Sequence, residues 1–296
     1  MKKFFLLIVI TFFLVACGQN KVENKSVFEK EIIDGLGQKH QFEKTPQRII
    51  SLAPSLTEII YALGVENQLV GNTNYCNYPE PAKKITKVGN LISVDFEKIL
   101  QLKPDLILIS TEGNTKEMAD KLNSIGIEYF VANPKSFASI KTNVLKIATI
   151  FGKEKKAEIL IEKWNREIDS VKLVAQKAKP KKAMFLLSIE PLILVGRNTF
   201  INEMMEICNL QNIATKAMGT YPTFSREDVL KYNPDYIFVA RHAGINFANV
   251  NKAYPEWKRL KAVQNDNVVI LDSDLFARPG PRFTLAVKTL FNAINN

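Results

Sequence analysis

Glu97 and Glu227 stand in the same short pattern, 130 positions apart. Residues 96–107 read Phe-Glu-Lys-Ile-Leu-Gln-Leu-Lys-Pro-Asp-Leu-Ile, and residues 226–237 read Arg-Glu-Asp-Val-Leu-Lys-Tyr-Asn-Pro-Asp-Tyr-Ile. Each glutamate follows a helix-cap candidate, Asp95 or Ser225, by two residues, and precedes an apolar pair and a Pro-Asp turn. Two kinds of chemistry fit. An acidic side chain in a first helical turn is favoured by the helix dipole by up to about 1 kcal/mol. Alternatively, two carboxylates in equivalent places could meet two arginines on a two-fold symmetric partner. The spacing alone leaves both uses open.

Other residues suit binding. Tyr75 and Tyr78 sit in Tyr75-Cys76-Asn77-Tyr78-Pro79. Their rings either staple a loop or offer flat contact area to a ligand at small entropic cost. Asp274 and Arg278, four apart, either form a local ion pair, worth about 0–1 kcal/mol when exposed, or orient a polar ligand. Catalytic chemistry has less to work with. The two histidines, His40 and His242, fall in different predicted lobes and have no metal-ligand partner at short spacing. No phosphate-binding glycine loop and no Gly-x-Ser-x-Gly elbow occurs. The expectation is a binding protein, with no metal, no prosthetic cofactor and no enzymatic activity.

The elements that must position these residues alternate between strand and helix. Residues 28–34 and 39–43 flank Gly35-Leu36-Gly37 as a hairpin. Strands are expected at 48–52, from 69, and at 106–110, 129–131, 184–188, 192–195, 236–240 and 268–271. Helices are expected from Ser55 to Gly64, with Ser55 and Glu58 as a capping box, and at 96–102, 116–125, 199–208, 226–232 and 283–294. Residues 136–178 carry helical periodicity and no proline, with Gly152 dividing two helices. One face is read as Ile161, Trp164, Ile168, Val171 and Val174. The repeat and the alternation predict an α/β protein: two similar Rossmann-like lobes with mostly parallel sheets, joined by a long rigid helical segment. The expected boundaries are 27–135 for the first lobe, 136–178 for the linker and 179–296 for the second lobe. Cys76 and Cys208 would then lie in opposite lobes, and are expected unpaired.

The N-terminus sets the compartment. Lys2 and Lys3 precede a nearly unbroken apolar run from Phe4 to Ala16, too short to span a bilayer but suited to a signal peptide. It ends in Leu14-Val15-Ala16-Cys17-Gly18, which resembles a bacterial lipobox. Residues 1–16 are therefore expected to be removed, Cys17 to carry lipid, and polar residues 17–26 to act as a tether. The chain is expected to be exported, anchored to a membrane and facing the periplasm or cell exterior. The formal charge of +10, or +8 without Lys2 and Lys3, is spread over scattered lysines. Export and dispersal together argue against a nucleic-acid partner.

Several segments resemble the class III periplasmic binding proteins of ABC importers. They are Arg48 to Ile59, Val70-Gly71, Tyr75 to Pro79, Lys87-Val88-Gly89, and Glu97 with Lys103-Pro104-Asp105. Within that class, Tyr221-Pro222, Phe224 to Glu227, Asp272 to Arg278 and Pro281-Arg282 make the chain most similar to the vitamin B12 (cobalamin)-binding proteins. The resemblance implies a ligand cleft between the lobes, contacted by Tyr75, Leu91, Tyr221, Asp274 and Arg278. Leu91 and Leu275 stand where the family often has an aromatic ring. It also implies a monomer whose Glu97 and Glu227 dock on a permease dimer with its ATPase subunits. The transported ligand is expected to be cobalamin. Haem, held by an axial Tyr75, Tyr221 or His242, is the alternative, as is an anionic ferric siderophore facing Arg241, Arg278 and Arg282.

Overall fold

A four-stranded parallel sheet and a five-stranded, mostly parallel sheet share one apolar core with the helices packed on them in the computed structural model, which describes residues 30–241 and 252–295. The first sheet contains β3 (Ile49–Ser51), β4 (Leu69–Asn72), β5 (Leu106–Ser110) and β6 (Tyr129–Ala132), in the order β4-β3-β5-β6, all parallel. It is preceded by an antiparallel hairpin, β1 (Lys30–Ile33) and β2 (Lys39–Phe42). Every residue of β5, Leu-Ile-Leu-Ile-Ser, is buried. A continuous apolar run of this kind suits a parallel strand covered on both faces. The helices of this lobe are α1 (Pro54–Leu63), α2 (Phe96–Gln101) and α3 (Lys116–Ser124).

The second sheet has the order β11-β10-β7-β8 and is built from β7 (Lys181–Ser188), β8 (Ile193–Leu194), β10 (Tyr236–Arg241) and β11 (Val268–Asp272). The short β9 (Leu210–Asn212) pairs with the start of β7. Only β8 runs antiparallel. Its helices are α6 (Phe200–Ile207), α7 (Arg226–Tyr232), α8 (Lys261–Gln264), α9 (Ser273–Phe276) and α10 (Phe283–Asn295).

The internal repeat has a structural basis. Lys103 and Asn233, each preceding the Pro-Asp, both take a left-handed conformation with φ of 47°. The Asp105 carboxylate accepts from the backbone N–H of Gln47 (2.7 Å) and Arg48 (2.9 Å). Asp235 accepts from Lys182 N–H at 2.9 Å. In each lobe, then, the aspartate ties the end of a short helix to the start of the central strand. The same local chemistry builds both halves.

Residues 136–178 form the expected pair of helices, α4 (Phe137–Ile150) and the longer α5 (Glu154–Ala175), with Gly152 left-handed between them. The α5 helix is 22 residues, about 33 Å at 1.5 Å per residue. It buries Trp164, Ile168 and Val171, but Val174 is exposed and Ala175 takes its place. The four-residue step keeps to the helix face there, where a three-residue step drifts off it. One apolar cluster runs from Ile49, Leu106 and Phe130 of the first sheet to Phe185 and Phe238 of the second, through α4, α5, α6 and α10. Phe137 stacks on Phe283 at 4.7 Å, and its backbone N–H donates to Glu203 at 2.6 Å. The lobes therefore share a core.

The expected capping box at Ser55 is not formed. The N-cap is Ala53, two residues earlier, so that Pro54 is the first helical residue and no side chain caps the helix. Glu58 points instead into a buried ion-pair cluster. Cys76 and Cys208 are both buried and unpaired.

Candidate ligand-binding cleft

A cavity of about 360 Å³ opens between the lobes, at the carboxyl ends of both parallel sheets. The first lobe contributes Ala53-Pro54-Ser55 after β3, Tyr75 after β4, Leu91, and Glu112 after β5. The second contributes Arg241 at the end of β10 and Ser273, Asp274, Ala277, Arg278 and Pro279 after β11. Ligands of open α/β sheets bind in such crevices, because the loops that leave the strand ends converge there. A larger hollow, about 590 Å³, lies by β9 and Lys182, at the opposite end of β7, and belongs to one lobe alone.

The loop carrying Tyr75 is fixed from below. Lys87 Nζ donates to Asn72 Oδ1 (2.7 Å), Ala82 O (3.0 Å) and Cys76 O (3.2 Å). Burial lowers the Lys87 ammonium from its usual range. Tyr75 is left 54% exposed while its carbonyl accepts from Arg278 Nη2 at 3.0 Å. Leu91 is held by its carbonyl, which accepts from Asn114 Nδ2 at 2.9 Å. Tyr221, 43% exposed, is on the second lobe. Its segment packs on Gly196, where a Cβ would come within 2.8 Å of Pro222. Burial pushes the Tyr221 phenol up to about 12, with a further contribution from Glu112 of the other lobe.

Asp274 and Arg278 meet as an ion pair at 2.6 Å. The pair also reaches across the boundary. Arg278 Nη1 donates to Asn77 Oδ1 and Asn77 Nδ2 donates to Asp274 Oδ2, both at 2.7 Å. Arg282 Nε and Nη2 donate to Glu58 at 2.9 and 2.6 Å, and Arg278 lies 3.6 Å from the same carboxylate. Burial raises the Glu58 carboxyl, and Arg282 and then Arg278 oppose that rise. The Arg282 guanidinium sits 4.3 Å from the centre of the Tyr78 ring. Tyr78 thus packs on the cluster, which is the loop-stapling use of that residue.

Tyr75, Leu91, Asp274 and Arg278 are brought together around one cavity, whereas Tyr221 is not among the residues that line it and only feels the charge of Glu112, which does line it. Of the three arginines considered for an anionic ligand, Arg278 and Arg282 are engaged by protein groups, while Arg241 has no ion pair among the described residues. His40 is elsewhere, paired with Glu128 at 2.6 Å. His242 and Cys17 lie outside the described residues. Glu112, Ser273 and the Ala53–Ser55 turn were not anticipated. They could have been: each follows the end of a parallel strand by one to four residues.

Glu97 and Glu227 occupy identical places, the second residue of α2 and of α7. Asp95 and Ser225 cap these helices by accepting from Lys98 N–H (2.9 Å) and Asp228 N–H (3.0 Å). Both glutamates are exposed, one on each lobe, and neither has a hydrogen bond or ion pair among the described residues.

Residues 49–275 match the family model described as periplasmic binding protein. A lipoprotein of Bacillus subtilis (strain 168), YvrC, named an uncharacterized ABC transporter substrate-binding lipoprotein, is 32% identical over 97% of this chain and 95% of its own. A vitamin B12-binding protein of Vibrio vulnificus (strain YJ016) is 31% identical over 82% of this chain and 88% of its own. The crystal structure of the periplasmic vitamin B12 binding protein BtuF of Vibrio cholerae superposes with a TM-score of 0.74 at 30% identity, covering 85% of this chain and 97% of that one. The match along most of the chain, on two lobes built by one repeated motif, places this protein in the periplasmic binding protein family.

Proposed function

We propose that this protein is the extracytoplasmic substrate-binding component of an ABC importer and that its ligand is a corrinoid such as vitamin B12. The observation that supports this most is the cleft itself: Tyr75 from one lobe and the Asp274–Arg278 pair from the other line one cavity at the strand ends. A corrin is a broad, mostly apolar disc with amide arms. Exposed rings supply area and a few polar groups fix orientation. Similarity to proteins named for vitamin B12 binding points the same way.

In this account Cys17 carries the lipid anchor and residues 17–26 the tether. No described helix is long and apolar enough to cross a membrane. The lobes, 27–135 and 179–296, close on the ligand by a small hinge motion, because α4, α5 and the shared core resist a large one. The loaded monomer docks through Glu97 and Glu227 on the permease, and ATP hydrolysis by the partner subunits opens the lobes. Haem is the second ligand class. It needs an axial Tyr or His, and a Tyr221 phenol pushed to about 12 gives up its proton reluctantly. Uptake of labelled cyanocobalamin by cells with and without this chain tests the proposal. Loss of high-affinity uptake on deletion, restored by the chain, supports it. Unchanged corrinoid uptake, with haem or ferric siderophore uptake lost instead, overturns it.

A further inference from the structure

The charges around the cleft divide into two groups. Asp274 and Arg278 are engaged with each other and with Asn77, and Arg278 is only 6% exposed. Glu112 and Arg241 are different. They come from opposite lobes, line the same cavity, and have no hydrogen bond or ion pair from their side chains among the described residues. Glu112 is half-buried. Burial raises its carboxyl, and Lys135 offsets this only in part. Glu112 also acts on the Tyr221 phenol from across the cleft.

A half-buried carboxylate without a donor is costly until a partner supplies N–H groups. The Arg241 guanidinium carries donors only, and among the described residues its side chain has no hydrogen-bond acceptor or ion-pair partner. A ligand that completes both must bring N–H groups to one side and carbonyl oxygens to the other, and must keep carboxylates away from Glu112. Primary amides on the rim of a macrocycle meet all three conditions. We propose that Glu112, with Arg241 opposite, is the specificity-determining residue of the cleft, selecting a neutral amide-edged macrocycle over the same macrocycle bearing carboxylates. The inference rests on the corrinoid reading and specifies which edge chemistry that ligand must present. Discrimination comes from repulsion of the wrong ligand as much as from attraction of the right one.

The test is calorimetric titration of the intact chain in detergent at neutral pH. The probes are cyanocobalamin and the set of its singly hydrolysed derivatives, each with one peripheral amide converted to a carboxylate. The unmodified protein is expected to disfavour at least one derivative by about tenfold or more, as a partly buried like-charge contact requires. Glu112→Gln is expected to bring that derivative within about threefold of cyanocobalamin. Because the ratio is read within one protein, partial loss of folded material does not alter it. Undiminished discrimination in Glu112→Gln, or none in the unmodified protein, overturns this inference and leaves the corrinoid reading standing. No binding of cyanocobalamin by the unmodified protein overturns both.

Discussion

Arg282 grips Glu58 across the lobe boundary through two hydrogen bonds, Nε to Oε2 at 2.9 Å and Nη2 to Oε1 at 2.6 Å. Glu58 is 3% exposed and belongs to α1 of the first lobe, whereas Arg282 immediately precedes α10 of the second. A carboxylate this buried holds two guanidiniums in place. Removing it leaves them without a counter-charge. Glu58→Ala is expected to cost about 3–5 kcal/mol, measured by urea unfolding. A loss below about 1 kcal/mol would mean that the cluster does not hold the lobes.

The exposed pair of glutamates gives a different signature. Glu97→Ala with Glu227→Ala changes stability by no more than about 0.5 kcal/mol, as exposed positions do, and leaves ligand affinity intact. Uptake in cells is lost. Normal uptake by the double variant would show that docking uses other residues.

The buried thiols are inert in the folded state. Burial pushes Cys208 up to about 12, so at about pH 8 the reactive thiolate is roughly one part in ten thousand. A thiol reagent is expected to label neither Cys76 nor Cys208 until denaturant is added, and then both. The sign of the linkage also follows. The unfolded chain, with its thiol near the ordinary 9.0, loses the proton first, so stability falls as pH rises above that value. Fast labelling of the native protein at Cys208 would contradict the packing.

Tyr75 separates binding from folding. The residue is more than half exposed and its carbonyl, not its side chain, accepts from Arg278. Tyr75→Ala is expected to keep the melting temperature within about 2 °C, the shift expected for 0.5 kcal/mol or less in a chain of this size, while weakening corrinoid binding at least about tenfold. A large fall in melting temperature would make Tyr75 a structural staple.

The architecture was largely legible because it rests on local signals. The Pro104-Asp105 and Pro234-Asp235 repeats, the apolar strand runs and the left-handed Gly64 and Gly152 each act within a few residues. The cleft was legible only in part. Asp274 and Arg278 are four apart, so their pairing is visible in the chain, but their partners Asn77 and Glu58 are about 200 positions away. The Ser55–Glu58 spacing suggests a capping box for the same reason: that spacing is local, while Arg282 reaches Glu58 through the tertiary fold. Val174 failed for a smaller reason, since one step of three in place of four moves a side chain off the buried face of α5.

The proposal stands or falls on whether the inter-lobe cavity holds a corrinoid. The most direct measurement is calorimetric titration of the chain from residue 18 onward with cyanocobalamin, alongside Tyr75→Ala and Tyr221→Ala. One site of sub-micromolar affinity is expected, about −8 kcal/mol or stronger, weakened by either substitution. Absence of cyanocobalamin binding, with tight binding of haemin or a ferric hydroxamate, would contradict it.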